Sequence, residues 1–586
     1  MSLFEHLVDR RSKALEKISI ALEGTDFFLK HEETPQKENE DIVWLKEVEV
    51  NGKKWKLEIH LTMRFPDEPP KIYVPEASTL FLTNPHIDNN GLLCTIPDSA
   101  CINRDDPVGV FFCTITCAEQ ILSGTDLNDF KDEFSSYWTR GIKENQNSIL
   151  INPPEQLHDL FDVYVDKNVF FLGQSKETLS KWLKNYSNNK LDDEYFIKGV
   201  NIKIESTLLP KEYPTTAYDL ICLLKKANRN AYYLLTDLIF SFEKQLFVVI
   251  SQITLSEYIL GGVSFFGLEE NVIPKKLNGF RKGKIPKNLF LKIAEPYLKE
   301  INIIRHTIER TDNFWLHSRG GDGILYQKKS ILLIGCGSLG GYVAHLLAKA
   351  GVGNITLIDK EKLEWNNIGR HILGAESVEQ FKAEALSFFI KKQMPHLQIF
   401  SIENDWREAL SKNNDLFKNQ DLIISTIADW KAENSLNYLS CKEPLPPIIY
   451  GWLEPFAVAG HCLICVKGSG CFACKMNKFG QFLYKVADFV NPTSKREPGN
   501  CTTYQQYGVS ALFPVASLVA TNALKCLLKL PIETTLKTWI SDQEHFETCK
   551  AILSDEWKEK IIDQNGYSKV YTSTIYSSPK CQVCYN

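Results

Sequence analysis

The sequence predicts a multidomain α/β protein: an N-terminal α+β domain, an α/β middle domain and a C-terminal Rossmann-like domain. At 586 residues the chain is too long for one hydrophobic core, because domains typically hold roughly 100 to 200 residues. EVEVNGKKWKLEIHL (47–61) has the pattern of a β-hairpin, and SILLIGCGSLGGYVAHLLAKAGVGNITLID (330–359) reads as strand, glycine turn, helix and strand. We therefore expect domains at 1–148, 149–320 and 321–586.

In the first domain, Asn51-Gly52 favours a type I′ turn, because both central residues of that turn need positive φ. The prolines of FPDEPPKIYVP (65–75) exclude helix, whereas HLVDRRSKALEKIS and DFKDEFSSYW are helical in character. In the middle region, FDVYVDKNVFFLG and KQLFVVISQITL resemble strands and KETLSKWLKNY resembles a helix. No motif in this middle region carries evident chemistry.

Composition excludes some partners. A net charge of −5 and a pI near 6.2 offer no general attraction to nucleic acid or anionic membrane. The N-terminus becomes charged too early for a secretory signal, and the apolar stretch SALFPVASLVATNALKCLLKL is interrupted by polar residues, which favours a buried helix. We expect a cytoplasmic protein whose 16 cysteines stay reduced and free for metal binding or nucleophilic chemistry.

Gly335, Gly337 and Gly340 form GxGxxG between a strand and a helix, where backbone N–H groups can face phosphate. Asp359 at the end of the next strand is placed to hold ribose hydroxyls. These residues alone fit a dinucleotide, as in a dehydrogenase, or ATP.

The following residues, LIDKEKLEWNNIGRH, then Lys382-Ala383 and MPHLQI, resemble the superfamily that activates ubiquitin and the sulfur carriers of thiamine and molybdopterin synthesis. The resemblance implies that Asp359 binds ribose, that Asn367, Arg370 and Lys382 orient the ATP phosphates, and that Asp429 holds Mg²⁺. The resemblance also implies that Asn367, Arg370 and Lys382 neutralise charge that builds on the phosphates during attack.

Four features depart from this superfamily pattern: Glu361 replaces an Asp, His371 a Gln and Trp430 an Asn, and the superfamily's downstream Arg has no match in KAEN. Arg370 and Lys382 as ordinary surface charges, Asp429 as a strand-end cap, and a Rossmann dehydrogenase or an inactive nucleotide fold remain alternatives.

Two CxxC pairs, Cys471/Cys474 and Cys581/Cys584, supply four thiolates of the kind that tetrahedral Zn²⁺ accepts. The superfamily ties its C-terminus back in this way, so a structural Zn²⁺ is expected. Unrelated buried or redox dithiols are the alternative. Closed Cys₄ coordination leaves no position for substrate, so the metal is assigned no catalytic role.

Cys501 lies in REPGNCTTYQQYGVSALFPVA, ahead of an apolar helix. The string resembles the crossover loop of autophagy-type activating enzymes, which implies that Cys501 attacks the acyl-adenylate. Lys495 and Arg496 nearby favour a thiolate. A buried cysteine in an ordinary loop is the alternative.

Cys94 ends NPHIDNNGLLC, which is similar to the catalytic signature of ubiquitin-conjugating enzymes, with His86 where that family has its oxyanion-stabilising Asn. His86 is either an oxyanion donor or general base, or a structural histidine. Asp98 either helps to deprotonate an incoming amine or is only solvated.

A conjugating-type domain ahead of an activating-type domain resembles the bacterial fusions of anti-phage CBASS operons. This implies that ATP activates the C-terminal carboxylate of a partner, a cGAS-like nucleotidyltransferase, which passes through Cys501 and then Cys94 to an amine on a target. It also implies a homodimer and a middle domain that resembles an inactive adenylation half. A sulfur-carrier adenylyltransferase and a non-catalytic scaffold remain alternatives.

Overall fold

The structure is a computed structural model. It describes residues 3–30, 41–97, 100–124, 128–140, 146–187, 191–205, 207–253, 258–268, 286–477, 479–490, 493–496, 503–562 and 566–585. The chain divides into two compact units, the first made of residues 1–150, 154–175 and 193–309 and the second of 151–153, 176–192 and 310–586.

The helices of the described residues are α1 (Leu3–Leu22), α2 (Pro107–Ser123), α3 (Asp129–Asp132), α4 (Phe134–Trp138), α5 (Lys176–Tyr186), α6 (Ala217–Ala227), α7 (Arg229–Phe240), α8 (Lys287–Leu298), α9 (Asn313–Gly320), α10 (Ser338–Lys349), α11 (Lys382–Gln393), α12 (Trp406–Lys412), α13 (Asp415–Lys418), α14 (Trp430–Lys442), α15 (Val509–Leu528), α16 (Gln543–Thr548) and α17 (Asp555–Ile562).

The strands are β1 (Phe28–Leu29), β2 (Ile42–Val50), β3 (Lys53–Leu61), β4 (Lys71–Tyr73), β5 (Leu92–Leu93), β6 (Gln146–Leu150), β7 (Leu160–Asp166), β8 (Val169–Gly173), β9 (Phe196–Ile204), β10 (Gln245–Ile253), β11 (Tyr258–Phe266), β12 (Ile304–Arg310), β13 (Ser330–Ile334), β14 (Asn354–Ile358), β15 (Gln398–Ile402), β16 (Leu422–Ser425), β17 (Ile448–Leu453), β18 (Ala459–Cys465), β19 (Ala487–Phe489), β20 (Ser494–Arg496), β21 (Thr503–Gln505), β22 (Thr535–Ile540), β23 (Ala551–Leu553) and β24 (Val570–Thr574).

An antiparallel sheet in the order β1-β2-β3-β4-β5 forms the N-terminal layer of the first unit. The predicted hairpin is confirmed: Val50 pairs with Lys53, and Asn51 and Gly52 have φ of 53° and 74°, as a type I′ turn requires. Helix α2 was not predicted from the sequence, because its β-branched and aromatic residues favour strands. Pro107 in its first turn and an Asp106 cap that accepts the Gly109 N–H start it.

The rest of the first unit is a closed barrel in the order β10-β11-β12-β6-β8-β7-β9. The strands expected near residues 161–173 and 244–255 are present as β7, β8 and β10. Helices α6, α7 and α8 share a hydrophobic core with β9, β10 and β11. The assignment of this region to an inactive adenylation half stays a prediction.

The second unit is built on a sheet in the order β15-β14-β13-β16-β17-β18-β22-β24. Its first five strands are parallel, and the strand order reverses between β13 and β16. Ligands bind outside the carboxyl ends of the strands at such a reversal. The multidomain α/β fold class is confirmed.

Helix α15 is long and apolar enough by length and composition to cross a membrane. It instead contributes buried residues such as Leu512, Val515 and Val519 to the core beneath the parallel sheet. A buried helix was the expectation for this stretch.

Candidate active site

The glycine turn between β13 and α10 is shaped by two different needs. Gly335 has φ of 95°, which L residues rarely adopt. A Cβ on Gly340 would lie 1.9 Å from the Gly335 carbonyl oxygen, whereas a Cβ on Gly337 would meet nothing within 4 Å. Gly340 therefore packs the helix against the turn, while Gly337 opens onto the space in front of the α10 N-terminus, where an anion is favoured.

Two adjoining cavities at this turn share Gly337, Glu361 and Thr426. The predicted nucleotide residues Asn367, Arg370 and Lys382 line one cavity, and Gly335, Asp359 and Asp429 line the other. The structure thus brings together residues that are separated by up to about a hundred positions in sequence. Their positions are compatible with one ATP molecule extending across both cavities.

Asp359 is held rigidly by main-chain donors. Its Oδ2 accepts from the Cys336 N–H at 2.7 Å and its Oδ1 from the Glu361 N–H at 2.8 Å. Burial raises the pKa of Asp359, and these two hydrogen bonds oppose the rise. The carboxylate faces the cavity from a fixed position, as ribose binding requires.

Lys382 is a buried cation with an unexpected partner. Its Nζ lies 2.6 Å from Glu361 Oε2, and its side chain is 9% exposed against 63% for Glu361. The alternative interpretation of Lys382 as an ordinary surface charge is therefore wrong. Glu361, one of the departures from the superfamily pattern, is a candidate functional residue that was not predicted from the sequence. Its position two residues after Asp359 was the signal that could have identified it.

Arg370 connects the nucleotide cavity to the chain that leaves the Cys501 region. Its Nη1 donates to the Gln505 carbonyl oxygen at 3.3 Å, and its guanidinium lies 4.8 Å from the centre of the Tyr507 ring. Asn367 Oδ1 caps the preceding turn by accepting the Glu364 N–H at 3.1 Å. Gln505 and Tyr507 were not among the sequence-predicted site residues.

His371 stands where the superfamily has Gln, and its ring is fixed on both sides. Nε2 lies 2.7 Å from the Cys336 carbonyl oxygen, so it donates, while Nδ1 accepts the Leu373 N–H at 3.1 Å. Burial lowers the pKa of His371, which favours this neutral form. A neutral imidazole thus supplies one donor and one acceptor, as a Gln side chain can.

Asp429 begins α14, where its Oδ1 accepts the Lys431 N–H at 2.8 Å. Its carboxylate also lines the nucleotide cavity, so a capping role and a Mg²⁺ role are compatible; the Mg²⁺ role stays a prediction. The neighbouring Trp430 stacks on Phe472 at 5.5 Å between ring centres. This Trp therefore packs in the domain core instead of serving as the superfamily's Asn.

The four predicted metal ligands are brought together. The Sγ atoms of Cys471, Cys474, Cys581 and Cys584 all lie within 4.8 Å of one another. Zn–S bonds of about 2.3 Å in a tetrahedron separate sulfur atoms by about 3.8 Å, and the close pairs here are 3.4 to 3.8 Å apart. The donor set fits Zn²⁺, which would join the 471–474 turn to the chain's last described residues.

Cys94 is exposed and follows a tight loop. Gly91 has φ of 80°, and a Cβ there would lie 2.3 Å from the Val74 carbonyl oxygen, so packing requires a glycine at this position. The Cys94 N–H donates to the His86 carbonyl oxygen at 2.9 Å. The cysteine is thus presented at the surface on a backbone held from His86.

His86 uses its main chain and side chain differently. Its N–H donates to Tyr137 Oη at 2.9 Å, and its Nε2 lies 3.2 Å from Asp129 Oδ2. The ring is thus oriented by a carboxylate, and the main chain has a structural role. Whether the imidazole also acts on substrate stays a prediction. Cys501 and Asp98 lie outside the described residues.

Comparison with known proteins identifies both ends of the chain. Residues 25–146 match the prokaryotic E2 family B and residues 325–558 match the ThiF family. The chain is a fusion of a ubiquitin-conjugating-like domain and a ThiF-type adenylation domain. The fusion therefore has the domains of a ubiquitin-activating and ubiquitin-conjugating enzyme in one polypeptide, and the ThiF domain implies ATP and Mg²⁺.

The fusion is similar to two curated bacterial proteins named ATP-dependent ubiquitin transferase-like protein Cap2. The Escherichia coli protein is 24% identical over 78% of this chain and 83% of its own length. The Pseudomonas aeruginosa protein is 33% identical over 26% of this chain and 28% of its own length. Ubiquitin-like modifier-activating enzyme 5 of Culex quinquefasciatus is 25% identical over 35% of this chain and 51% of its own length. The predicted resemblance to a Cap2-like fusion is confirmed.

Proposed function

We propose that the fusion conjugates a partner protein to an amine through two successive thioesters. The partner's C-terminal carboxylate is adenylated, and the acyl group passes to Cys501, then to Cys94, and finally to an amine on a target. The observation that carries this proposal is the coexistence in one chain of the cavity lined by Arg370 and Lys382 and an exposed cysteine on the conjugating-type loop.

In the first step the carboxylate oxygen attacks the α-phosphorus of ATP, and the bond to the bridging oxygen breaks as pyrophosphate leaves with the electron pair. Lys382 and Arg370 supply positive charge beside the phosphates, where it stabilises the transition state more than the ground state. Asp359 holds the ribose. Asp429 would hold Mg²⁺, which neutralises phosphate charge.

In the next steps thiolates act as nucleophiles. The Cys501 thiolate attacks the acyl carbon and AMP leaves; the Cys94 thiolate then attacks the thioester and the Cys501 thiolate leaves. Finally an amine attacks the thioester at Cys94, the thiolate leaves, and the amine nitrogen loses a proton. We assign to the His86 imidazole the stabilisation of the oxyanion in this last step.

Similarity to the Cap2 proteins supports a C-terminal carboxylate donor, which we assign to a cGAS-like nucleotidyltransferase in anti-phage defence. We further propose that the fusion works in the cytoplasm as a homodimer. A sulfur-carrier adenylyltransferase is disfavoured because it would have no use for the conjugating-type domain, and a scaffold is disfavoured because Lys382 and Asp359 face an open cavity.

The test uses the full chain, ATP, Mg²⁺ and, as the candidate donor, a cGAS-like nucleotidyltransferase. Thiol-sensitive adducts are followed on non-reducing gels and mapped by mass spectrometry. Cys94→Ala should leave an adduct only at Cys501, and Cys501→Ala should abolish adducts at both positions. Cys101→Ala, which replaces another exposed cysteine near Cys94, is the matched control. Adducts that persist unchanged in both test variants would refute the relay.

A further inference from the structure

The helix α4 carries one residue that faces the Cys94 loop and others that enter the barrel. Tyr137 lies on this helix and is 1% exposed, as is Trp138, while Phe134 is fully buried. All three belong to the hydrophobic core that includes barrel strands β9, β10 and β11. The helix is therefore anchored in the barrel although it lies within the residues that match the conjugating-type family.

The barrel holds Trp138 by specific polar contacts as well as by burial. Trp138 Nε1–H donates to the Gly262 carbonyl oxygen at 3.2 Å, and Arg305 Nη1 donates to the Trp138 carbonyl oxygen at 3.0 Å. A Cβ at Gly261 would lie 2.8 Å from the Trp138 ring, so a glycine at this position of β11 leaves the space that the indole occupies. These contacts fix α4 in position and rotation.

The adjacent residue on α4 then reaches the Cys94 loop. The Tyr137 hydroxyl accepts the His86 N–H at 2.9 Å. His86 has φ of 63°, a conformation that costs a non-glycine residue free energy unless its surroundings hold it. From that conformation the His86 carbonyl accepts the Cys94 N–H at 2.9 Å. A short chain of bonds thus runs from the barrel to the cysteine.

We propose that Tyr137 is a positioning residue for Cys94, and that the barrel domain serves the conjugating step by anchoring it. The proposal assigns a role to the middle domain, which has no recognisable catalytic motif. It rests on the proposed function of Cys94 as a thioester acceptor. The bond from Tyr137 acts through the His86 main chain, so it is independent of any chemistry by the imidazole.

The test replaces the hydroxyl and keeps the ring, with Tyr137→Phe in the full chain. Hydrogen exchange measured by mass spectrometry on peptides that span His86 and Cys94 should accelerate about tenfold at the His86 amide, since a lost hydrogen bond changes opening by about that factor. Iodoacetamide alkylation of Cys94, quantified at the peptide level over pH, should differ in rate from that of the unmodified chain, because the loop that presents the thiol is held by one hydrogen bond fewer. Neither measurement needs ATP or a donor.

Tyr213→Phe is the matched control. Tyr213 is a buried tyrosine of the same aromatic cluster, in edge contact with Phe134 and Trp138, and its hydroxyl has no hydrogen-bond partner among the described residues. It should leave both measurements unchanged.

Equal exchange and alkylation in Tyr137→Phe and the unmodified chain, or equal changes in both tyrosine variants, overturn the proposal. If Tyr137→Phe does not fold, Trp138→Phe carries the same test from the barrel side and should accelerate the same amide. Failure of the relay with a changed Cys94 profile would refute the proposed function alone, leaving the positioning role intact.

Discussion

Replacing Glu433 by Gln should make the second unit less sensitive to alkaline pH. Glu433 lies on α14, one turn after Asp429, and is 3% exposed. Its Oε1 accepts the Ser425 Oγ–H at 2.8 Å. Burial raises the pKa of Glu433 to about 8, and the charge of Asp429 adds to the rise. A Gln side chain keeps the acceptor and removes the ionisation.

The sign of the effect follows from proton binding. The folded chain holds this proton up to a pH of about 8, whereas the unfolded chain releases it near the ordinary glutamate pKa of about 4.3. The folded state therefore binds more protons between these values, and its stability falls as pH rises through this window. Integrated from pH 5 to pH 8, the loss from this group is about 3.5 kcal/mol.

The assay is native-state hydrogen exchange of the amides in β16 and α14, because unfolding of a multidomain chain need not be two-state. The opening free energy of Glu433→Gln minus that of the unmodified chain should grow by about 3.5 kcal/mol from pH 5 to pH 8. Glu443→Gln, at the end of the same helix and 53% exposed, should show no such growth. A difference that stays constant within about 1 kcal/mol would show that Glu433 does not titrate as a buried group.

Three further outcomes are expected. Gly340→Ala should destabilise the glycine turn by about 1–3 kcal/mol, measured by hydrogen exchange, because the new Cβ meets the Gly335 carbonyl. Gly337→Ala should leave the turn as stable as before and weaken ATP binding, measured by calorimetry. Equal losses of stability in the two variants would contradict the different roles assigned to these glycines. Elemental analysis should find zinc bound to the chain, and Cys581→Ser should release the zinc and speed hydrogen exchange in the peptide 471–476. Retention of zinc by this variant would exclude the Cys₄ site. Glu454→Ala should remove the acceptor of the Val486 and Ala487 N–H groups, whose nitrogens lie 2.6 and 3.0 Å from the carboxylate oxygens, and should lower the free energy of unfolding by about 3–5 kcal/mol. Glu454→Gln, which keeps one acceptor oxygen, should lower it by less. Equal losses in the two variants would show that the acceptor oxygen does not account for the stability.

Local patterns predicted most of the elements that frame the site. The Asn51-Gly52 hairpin and the glycine turn depend on residues that are neighbours in sequence, so their conformations follow from backbone preferences. The nucleotide residues were found because a superfamily spacing fixes them. Asp359 lines one of two adjoining cavities, and Arg370 and Lys382 line the other. Their roles in nucleotide binding stay predictions.

What the sequence could not predict depends on distant contacts. The ion pair of Lys382 with Glu361, and the stacking of Trp430 on Phe472, explain two departures from the superfamily pattern only when the partners are seen. Barrel closure brings β12 beside β6, a pairing that no local signal encodes. The hydrogen bond between the Tyr137 hydroxyl and the His86 main chain also joins residues that are distant in sequence, so no local pattern predicted it.

The most direct test of the relay is the fate of the acyl group at position 94 when an ester replaces the thioester. With ATP and the proposed donor, a cGAS-like nucleotidyltransferase, Cys94→Ser should trap the donor's C-terminus on residue 94 as an adduct that resists thiols, seen by peptide mass spectrometry. Adding Cys501→Ala to that variant should abolish the adduct. A thiol-resistant adduct at residue 94 that forms equally well without Cys501 would contradict passage through two cysteines in series.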